Sequence, residues 1–352
     1  MKPNIKDLSF SEFEAYLLER EQPPYRARQV WQWLYQKRAA SFADMTNVSA
    51  VFREQLAADF SISRLAVERR ADSADGTVKF LFRLADDRTI ESVLIPEAKR
   101  LTLCISTQVG CGFGCTFCAT ALLGFKRNLQ ASEIVDQILE ASRSLTQDRR
   151  ITNVVLMGMG EPLANYAQTI KAVAVMTDNS WGIGISPRRI TLSTVGLVPQ
   201  IRKLMDETNV SLAISLHAST DELRSQLMPV NRKYSLRQLM ECCRALPIPR
   251  RKRITFEYVL LRGVNDSAAD AHSLAELLRS VRCKINLIPF NAHHGSEYQR
   301  PETKNVEAFQ QILSCQGLQV NVRRPRGDDI AAACGQLQGE TIKEQESASG
   351  HC

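Results

Sequence analysis

LTLCISTQVGCGFGCTFCATALLGFKRNLQASEIVDQILEASRSLTQDRRITNVVLM, residues 101–157, reads as a strand, a cysteine-bearing loop, a helix and a second strand. LTLCIS and ITNVVLM are short apolar runs, whereas ASEIVDQILEASRSL repeats its apolar residues at helical spacing. The same texture continues downstream. RRITLST, VSLAISL, RITFEYVL, CKINLIPF and LQVNVR are further strand-like runs, separated by helical stretches such as DAHSLAELLRSV. Strand and helix in alternation imply parallel βαβ units. About six or seven such strands suit either an open doubly wound sheet or a partial barrel, and periodicity does not choose between them. In both, chemistry collects at the strands' C-terminal ends.

Upstream of this repeat, residues 11–70 read as helical, with a capping pattern at Ser11 and Glu14 and apolar Phe13, Leu17, Leu18, Val30, Trp31 and Leu34 at helix spacing. TVKFLFRLADDRTIESVLIP, residues 77–96, holds two β-rich runs around Asp86 and Asp87 and predicts a hairpin. Downstream, GQLQGETIKEQESASGHC loses the apolar pattern and predicts a frayed tail. The chain therefore divides into a helical accessory unit at 1–72, a hairpin linker at 73–100, the α/β core at 101–335 and a flexible tail at 336–352.

Hydrophobic residues at 44% and charged residues at 24% suit a soluble globular protein with a sizeable core. No window approaches the ~20 uninterrupted apolar residues of a membrane span, and MKPNIKDLSFSEFEAYLLER is too charged for a signal peptide, so a cytoplasmic protein is expected. In a reducing compartment the ten cysteines point to metal binding or catalysis rather than to stable disulfides. A net charge of +7 favours an anionic partner such as nucleic acid, though so modest an excess is also ordinary.

The sharpest local signal is the C-x3-C-x2-C spacing of Cys111, Cys115 and Cys118, just after the first strand of the repeat. One loop with this spacing wraps a metal centre. Three thiolates on a four-iron cube leave one iron open to a substrate or cofactor. A structural zinc would want a fourth Cys or His nearby, and none stands between residues 119 and 216. Zinc with a distant fourth ligand, and unligated buried cysteines, stay open as alternatives.

With Phe117 preceding Cys118, this loop resembles the signature of the radical S-adenosylmethionine superfamily. Within it, CISTQVGCGFGCTFCAT, MGMGEPLAN, LSTVG, SLHAS, INLIPFN and RGDDIAAACGQL, spanning 104–337, are similar in order and interval to the RlmN-type adenine-C2 RNA methyltransferases, and Pro24-Tyr25-Arg26 adds to the likeness. The resemblance implies a partial (β/α)6 barrel with a [4Fe-4S] cluster on Cys111, Cys115 and Cys118. It implies S-adenosyl-L-methionine bound by Gly160, Glu161, Ser193, Ser215, Leu216, His217 and Asn291. Cys334 would receive a methyl from one S-adenosylmethionine; a radical made by reductive cleavage of a second would abstract hydrogen from that S-methyl group, and the resulting carbon radical would add to adenine C2. Cys104 would remove the C2 proton, leaving a Cys104–Cys334 disulfide for a thiol reductant. Glu91 corresponds to a residue assigned as proton acceptor. The implied substrates are 23S ribosomal RNA and also tRNA, and the implied electron donor is flavodoxin-like. No association segment stands out, so a monomer is expected.

Apart from the resemblance, the residues admit plainer readings. Gly160 at a strand end would let a ligand approach the backbone, and Glu161 could accept bonds from an ammonium or from ribose hydroxyls, yet Gly-Glu-Pro is also an ordinary turn. His217 reads as a structural histidine, Cys104 and Cys334 as small buried hydrophobes and Glu91 as a solvated charge. Cys242, Cys243, Cys283, Cys315 and Cys352 match no ligand pattern. KRNL at 126–129, PRRI at 187–190, RKRIT at 251–255 and RRPRGDD at 323–329 could hold RNA phosphates near strand ends or an active-site rim. Trp31, Trp33 and Tyr25 could stack on bases or belong to the helical core. The target base must leave its stack to reach Cys334. The rival functions are adenine-C8 methylation, radical activation of a protein partner, and a structural metal-binding RNA module.

Overall fold

The computed structural model describes residues 2–146, 148–249, 251–293 and 295–338. Three helices open the chain, α1 (Phe10–Glu19), α2 (Tyr25–Tyr35) and α3 (Ala50–Asp59). The cap of α1 is not at Ser11. Ser9 Oγ accepts from Glu12 N at 3.1 Å, and the Glu12 carboxylate accepts from Ser9 N at 2.6 Å. The Ser-x-x-Glu pattern occurs twice in SFSEFE, and the earlier copy wins because it brings Phe10 into the first turn, where its ring stacks on Trp181 at 4.6 Å. Trp31 is fully buried and stacks on Phe13 at 4.6 Å.

This unit is bolted to the helices of the core. Lys6 and Asp136, both buried, meet at 2.6 Å, Arg64 pairs with Glu140 at 2.9 Å, and Lys171 reaches Glu12 at 2.7 Å. Two of these anchors fall on helix α5 (Ala131–Arg143), beyond the short α4 (Ala119–Leu122).

Residues 66–97 depart from the sequence division. A strand, β1 (Ala66–Asp72), lies inside the stretch read as helical, and it pairs antiparallel with β2 (Val78–Arg83), which pairs with β3 (Thr89–Glu97), which pairs with β4 (Arg100–Cys104). The expected hairpin is β2–β3, closed by Leu84 N to Arg88 O at 2.8 Å with Asp87 at positive φ. The segment is no linker: it is the antiparallel flank of one ten-stranded sheet, ordered β1-β2-β3-β4-β7-β8-β9-β10-β11-β12.

From β4 onward the sheet is parallel, through β7 (Asn153–Leu156), β8 (Ile190–Thr194), β9 (Ser211–Ser215), β10 (Ile254–Leu260), β11 (Cys283–Pro289) and β12 (Val320–Val322). Each coincides with a strand-like run of the sequence. Their spatial order follows the chain without reversal, so right-handed crossovers put α5, α6 (Tyr166–Thr177), α7 (Val198–Glu207), α8 (Asp221–Leu227), α9 (Leu236–Ala245), α10 (Ala268–Leu278) and α11 (Thr303–Cys315) on one face. A doubly wound sheet would reverse direction at a switch point. The architecture is therefore an open, partial barrel. A two-stranded clasp, β5 (Gln108–Gly110) and β6 (Phe125–Asn128), flanks the cysteine loop. It closes so tightly that a Cβ on Gly110 would lie 1.8 Å from Gly124 O. Among the described residues no helix is long and apolar enough to cross a membrane.

Candidate active site

The strands' C-terminal ends surround a cavity of about 170 Å³, and most of the residues singled out from the sequence line it. Gly160 and Glu161 follow β7, Ser193 is the penultimate residue of β8, Ser215 ends β9 and His217 follows it, Asn291 follows β11, and Cys118 and Cys334 complete the wall. Leu216 does not line it. Strand alternation turns its side chain into the core, and its backbone N–H is spent on Glu257 O at 3.0 Å.

Glu161 is buried, and its two carboxylate oxygens accept from Leu163 N at 3.0 Å and Val195 N at 2.7 Å, tying the β7 loop to the β8 loop. Burial pushes its carboxyl up to about 7, against the pull of those amides. Gly160 is required by protein rather than by ligand: its φ is +95°, and a Cβ there would lie 2.4 Å from Gln108 Cβ. Gln108 Oε1 in turn accepts from Glu161 N at 2.8 Å. His217, also at positive φ, is held by an amide, since Val259 N donates to its Nδ1 at 2.9 Å. Burial, then Arg224, pushes the imidazole down to about 3, so it is neutral with its proton on Nε2.

Arg224, on α8, is a functional residue that sequence reading missed. Fully buried, it donates to Leu216 O at 3.1 Å, Ser215 O at 3.0 Å, Val195 O at 2.8 Å and Asn231 Oδ1 at 3.0 Å. One guanidinium thus sets the β8 and β9 loops that carry Ser193, Ser215 and His217. Nothing local marks it, because DELRSQL reads as a solvated helix face. Glu257, 3.7 Å from Arg323, also lines the cavity and was not singled out, whereas Arg323 was marked only as part of a basic run.

The cysteine loop spans β5 to α4. Burial raises the thiols of Cys111, to about 11, and of Cys115, and the neighbouring thiols of the triplet raise both further; burial raises Cys118 as well. Three thiols that repel one another as thiolates are a donor set that calls for a cation. Among the described residues no three Cys, His, Asp or Glu side chains already converge on a single metal ion, so a mononuclear centre would require the loop to tighten, whereas an iron–sulfur cube is wider than one ion. The residues present fit the cube. S-adenosylmethionine would meet Glu161, Ser193 and the neutral His217 beside it.

Cys334 is carried on a strap that runs from β12 to residue 338. Asp75 accepts from Gly327 N at 3.2 Å, Lys79 Nζ donates to Ala331 O at 3.2 Å, Ala119 N donates to Gly335 O at 2.8 Å, and Gln336 Nε2 donates to Ala292 O at 2.8 Å. The antiparallel flank thus holds the far side of the strap. So fixed, Cys334 is exposed at the cavity wall rather than buried as a small hydrophobe. Although the residue as a whole is exposed, protein atoms crowd its thiol and raise it, while Arg323 draws it down. Cys104, at the end of β4, is buried outside the cavity lining yet senses Cys334; burial and then that neighbour push its thiol up to about 12. Glu91 is neither solvated nor in the cavity. It is buried on β3, pairs with Lys79 at 3.1 Å and accepts from Gln338 N at 2.8 Å.

Of the four basic runs only 323–329 reaches this rim, through Arg323. Arg127 is bound by Asp86 at 2.8 Å and Glu133 at 2.7 Å, while Arg188 and residues 251–253 lie at the opposite end of the barrel, where the strands begin. Sequence showed that they flank strands but not which end. Trp31 is core, Trp33 is half-buried with the Lys37 ammonium 3.8 Å from its ring centre, and Tyr25 is exposed. Cys242, Cys243 and Cys283 are buried, Cys315 is exposed, and Cys352 lies outside the described residues.

Comparison with known proteins sets these features in a family. The profile of the radical SAM superfamily matches residues 105–277, and that of the ribosomal RNA large subunit methyltransferase N-terminal domain matches residues 3–62. The dual-specificity RNA methyltransferase RlmN of Desulfosudis oleivorans is 49% identical over 339 residues, covering 96% of this chain and 91% of that protein. Its counterpart from Geobacter sulfurreducens is 47% identical over 347 residues, covering 99% and 95%. The crystal structure of a radical SAM methyltransferase from Sphaerobacter thermophilus superposes with a TM-score of 0.90 at 44% identity, over 96% of this chain and 100% of that one.

Proposed function

The chain belongs to the RlmN family of radical S-adenosylmethionine RNA methyltransferases, and from this and the site we infer that it methylates C2 of adenine in ribosomal RNA and tRNA by way of Cys334. Its cofactors are a [4Fe-4S] cluster and S-adenosylmethionine, which when bound supply the methyl group and the one-electron chemistry. The observation that carries the reading is the strap, which holds Cys334 on the wall of the same cavity that Cys118 of the cysteine loop lines.

The chain's own residues divide the work. Cys111, Cys115 and Cys118 would hold the cluster. Glu161, Ser193, Ser215, His217 and Asn291 would orient S-adenosylmethionine, with His217 donating from Nε2 and Glu161 facing the ammonium. Cys334 would carry the methyl group, because adenine C2 is electron-poor and does not attack a sulfonium carbon. Cys104 would take the C2 proton. Closing the cycle leaves a Cys104–Cys334 disulfide that needs an external thiol reductant, with a flavodoxin-like protein feeding the cluster. Glu91, bonded to the strap, supports a positioning role better than proton transfer. The N-terminal helices would serve as the RNA-binding accessory of a monomeric cytoplasmic enzyme, with Tyr25 exposed for stacking.

The test is nucleoside mass spectrometry of ribosomal RNA and of tRNA incubated anaerobically with cluster-loaded protein, S-adenosylmethionine and a strong reductant. 2-Methyladenosine is the expected product. 8-Methyladenosine would move the activity to the sister position, and unmodified RNA beside cleaved S-adenosylmethionine would overturn the reading.

A further inference from the structure

The end of the barrel where the strands begin holds a second cavity, of about 450 Å³, lined by Arg100, Arg188, Arg251, Lys252, Arg253 and Lys284 and by no acidic residue. The topology gathers them. Arg100 opens β4, Arg188 stands just before β8, residues 251–253 lead into β10, and Lys284 is the second residue of β11. Cations here have an ordinary use, since the helices' C-terminal carbonyls point to this end. Lys252 fits that use, donating to Asn209 O at 2.5 Å. Arg100 pairs with Glu97, and Arg253 donates to the neutral Gln319 side chain at 2.7 Å. Arg188 and Arg251 pair with no acidic side chain among the described residues, and Lys284 feels only the Glu257 carboxylate deeper in the barrel, which Arg323 also faces.

The cluster therefore carries positive charge well beyond what its surroundings neutralise. Lys252 registers it: burial, and then the Arg188 guanidinium, lower its affinity for a proton. Like charges crowded in a concavity cost stability and focus a positive field on whatever enters. Several guanidiniums converging with ammonium groups match a multivalent oxyanion, with forked donors for pairs of oxygens.

We propose that this cavity binds phosphate groups. Each parallel strand spans up to seven residues, roughly 20 Å at ~3.3 Å per residue, between this cavity and the one that holds Cys334. RNA presenting its target base to Cys334 would reach the second cavity only with phosphates outside the target stem. That source rests on the RNA-methylating reading; a free polyphosphate anion is the other source of the same chemistry.

The experiment compares cluster-loaded wild type with Arg188→Gln/Arg251→Gln/Lys252→Gln, using ribosomal RNA and inorganic tripolyphosphate as probes. If RNA phosphates are bound, the variant binds RNA about tenfold more weakly and its slope of log affinity against log salt is shallower by roughly 2 to 3. If a free polyphosphate is bound, RNA affinity is unchanged but the rise in melting temperature that tripolyphosphate gives the wild type is lost. Methylation at saturating RNA stays at the wild-type rate, so a wild type that fails to methylate refutes the proposed function without touching these binding results. The ligand-free variant melts close to the wild-type temperature, because relieved repulsion offsets the lost bond from Lys252 to Asn209 O. Lys284→Gln alone gives the same signs at smaller size. Unchanged RNA affinity and salt slope together with an unchanged tripolyphosphate response would overturn the proposal.

Discussion

Replacing Arg224 with methionine should damage stability and cofactor binding together. The side chain is fully buried, and burial lowers its guanidinium only to about 10, so it is charged at neutral pH. Methionine keeps the volume but strands the oxygens of Val195, Ser215 and Leu216 and the Asn231 Oδ1, which Arg224 now bonds at 2.8 to 3.1 Å. Charge-assisted bonds of this kind contribute roughly 1.5–3 kcal/mol each. Relief from burying the charge, and water admitted to the loops, offset part of that sum, leaving a net loss of about 3–5 kcal/mol. At the lower end of the usual 2–4 °C per kcal/mol, the melting temperature should fall by roughly 6–10 °C. Because the stranded carbonyls belong to the loops bearing Ser193, Ser215 and His217, the Kd for S-adenosylmethionine should rise about tenfold, equivalent to ~1.4 kcal/mol. Calorimetry and equilibrium dialysis on anaerobic protein read both quantities. Arg224→Lys should recover little, since one ammonium cannot span four acceptors. A melting temperature within about 2 °C of wild type with unchanged affinity, or full rescue by lysine, would refute the reasoning.

Four other outcomes are expected. Cys334→Ala should abolish methyl transfer while leaving the cluster's visible absorbance intact, whereas Cys104→Ala should trap a covalent protein–RNA adduct on denaturing gels; absence of the adduct removes Cys104 from its proposed role. Glu91→Gln retains an acceptor for Gln338 N, so turnover should stay within about tenfold of wild type; a loss of 100-fold or more would instead mark Glu91 as a true proton acceptor. Burial, opposed by Lys6, holds Asp136 up at about 6 against an ordinary 3.8, so the folded state keeps a proton that the unfolded chain has released. Stability attributable to this group is therefore present below about pH 4 and declines as pH rises to about 6, and Asp136→Asn should flatten that part of a melting-temperature profile, an unaltered slope being the contrary result.

What was legible in the sequence was whatever a short window of chain encodes. The seven parallel strands were legible because alternating periods of apolar residues are local, and the cysteine loop because a ligand triplet must be close in sequence to wrap one centre. Gly160 was singled out for a strand-end position, but its cause, the backbone and side chain of Gln108 pressed against it, came from a strand elsewhere in the chain. The cap of α1 was misplaced by one repeat of its own motif, because the choice between Ser9 and Ser11 is made by Phe10 packing on distant Trp181.

By itself, then, the sequence determined the kind of chemistry: parallel βαβ units, three clustered thiols and, through resemblance, the residues of an RNA-methylating site. Only the tertiary structure decided that the sheet winds one way into an open barrel, that residues 66–97 extend it and brace the Cys334 strap, that Arg224 sets the cofactor loops, and that the basic runs at 188 and 251–253 lie at the end opposite the cavity. The physical reason is separation along the chain. A residue's type and its neighbours set its conformation and its chemistry, whereas strand order and crossover handedness set which end of the barrel it reaches and what it meets there.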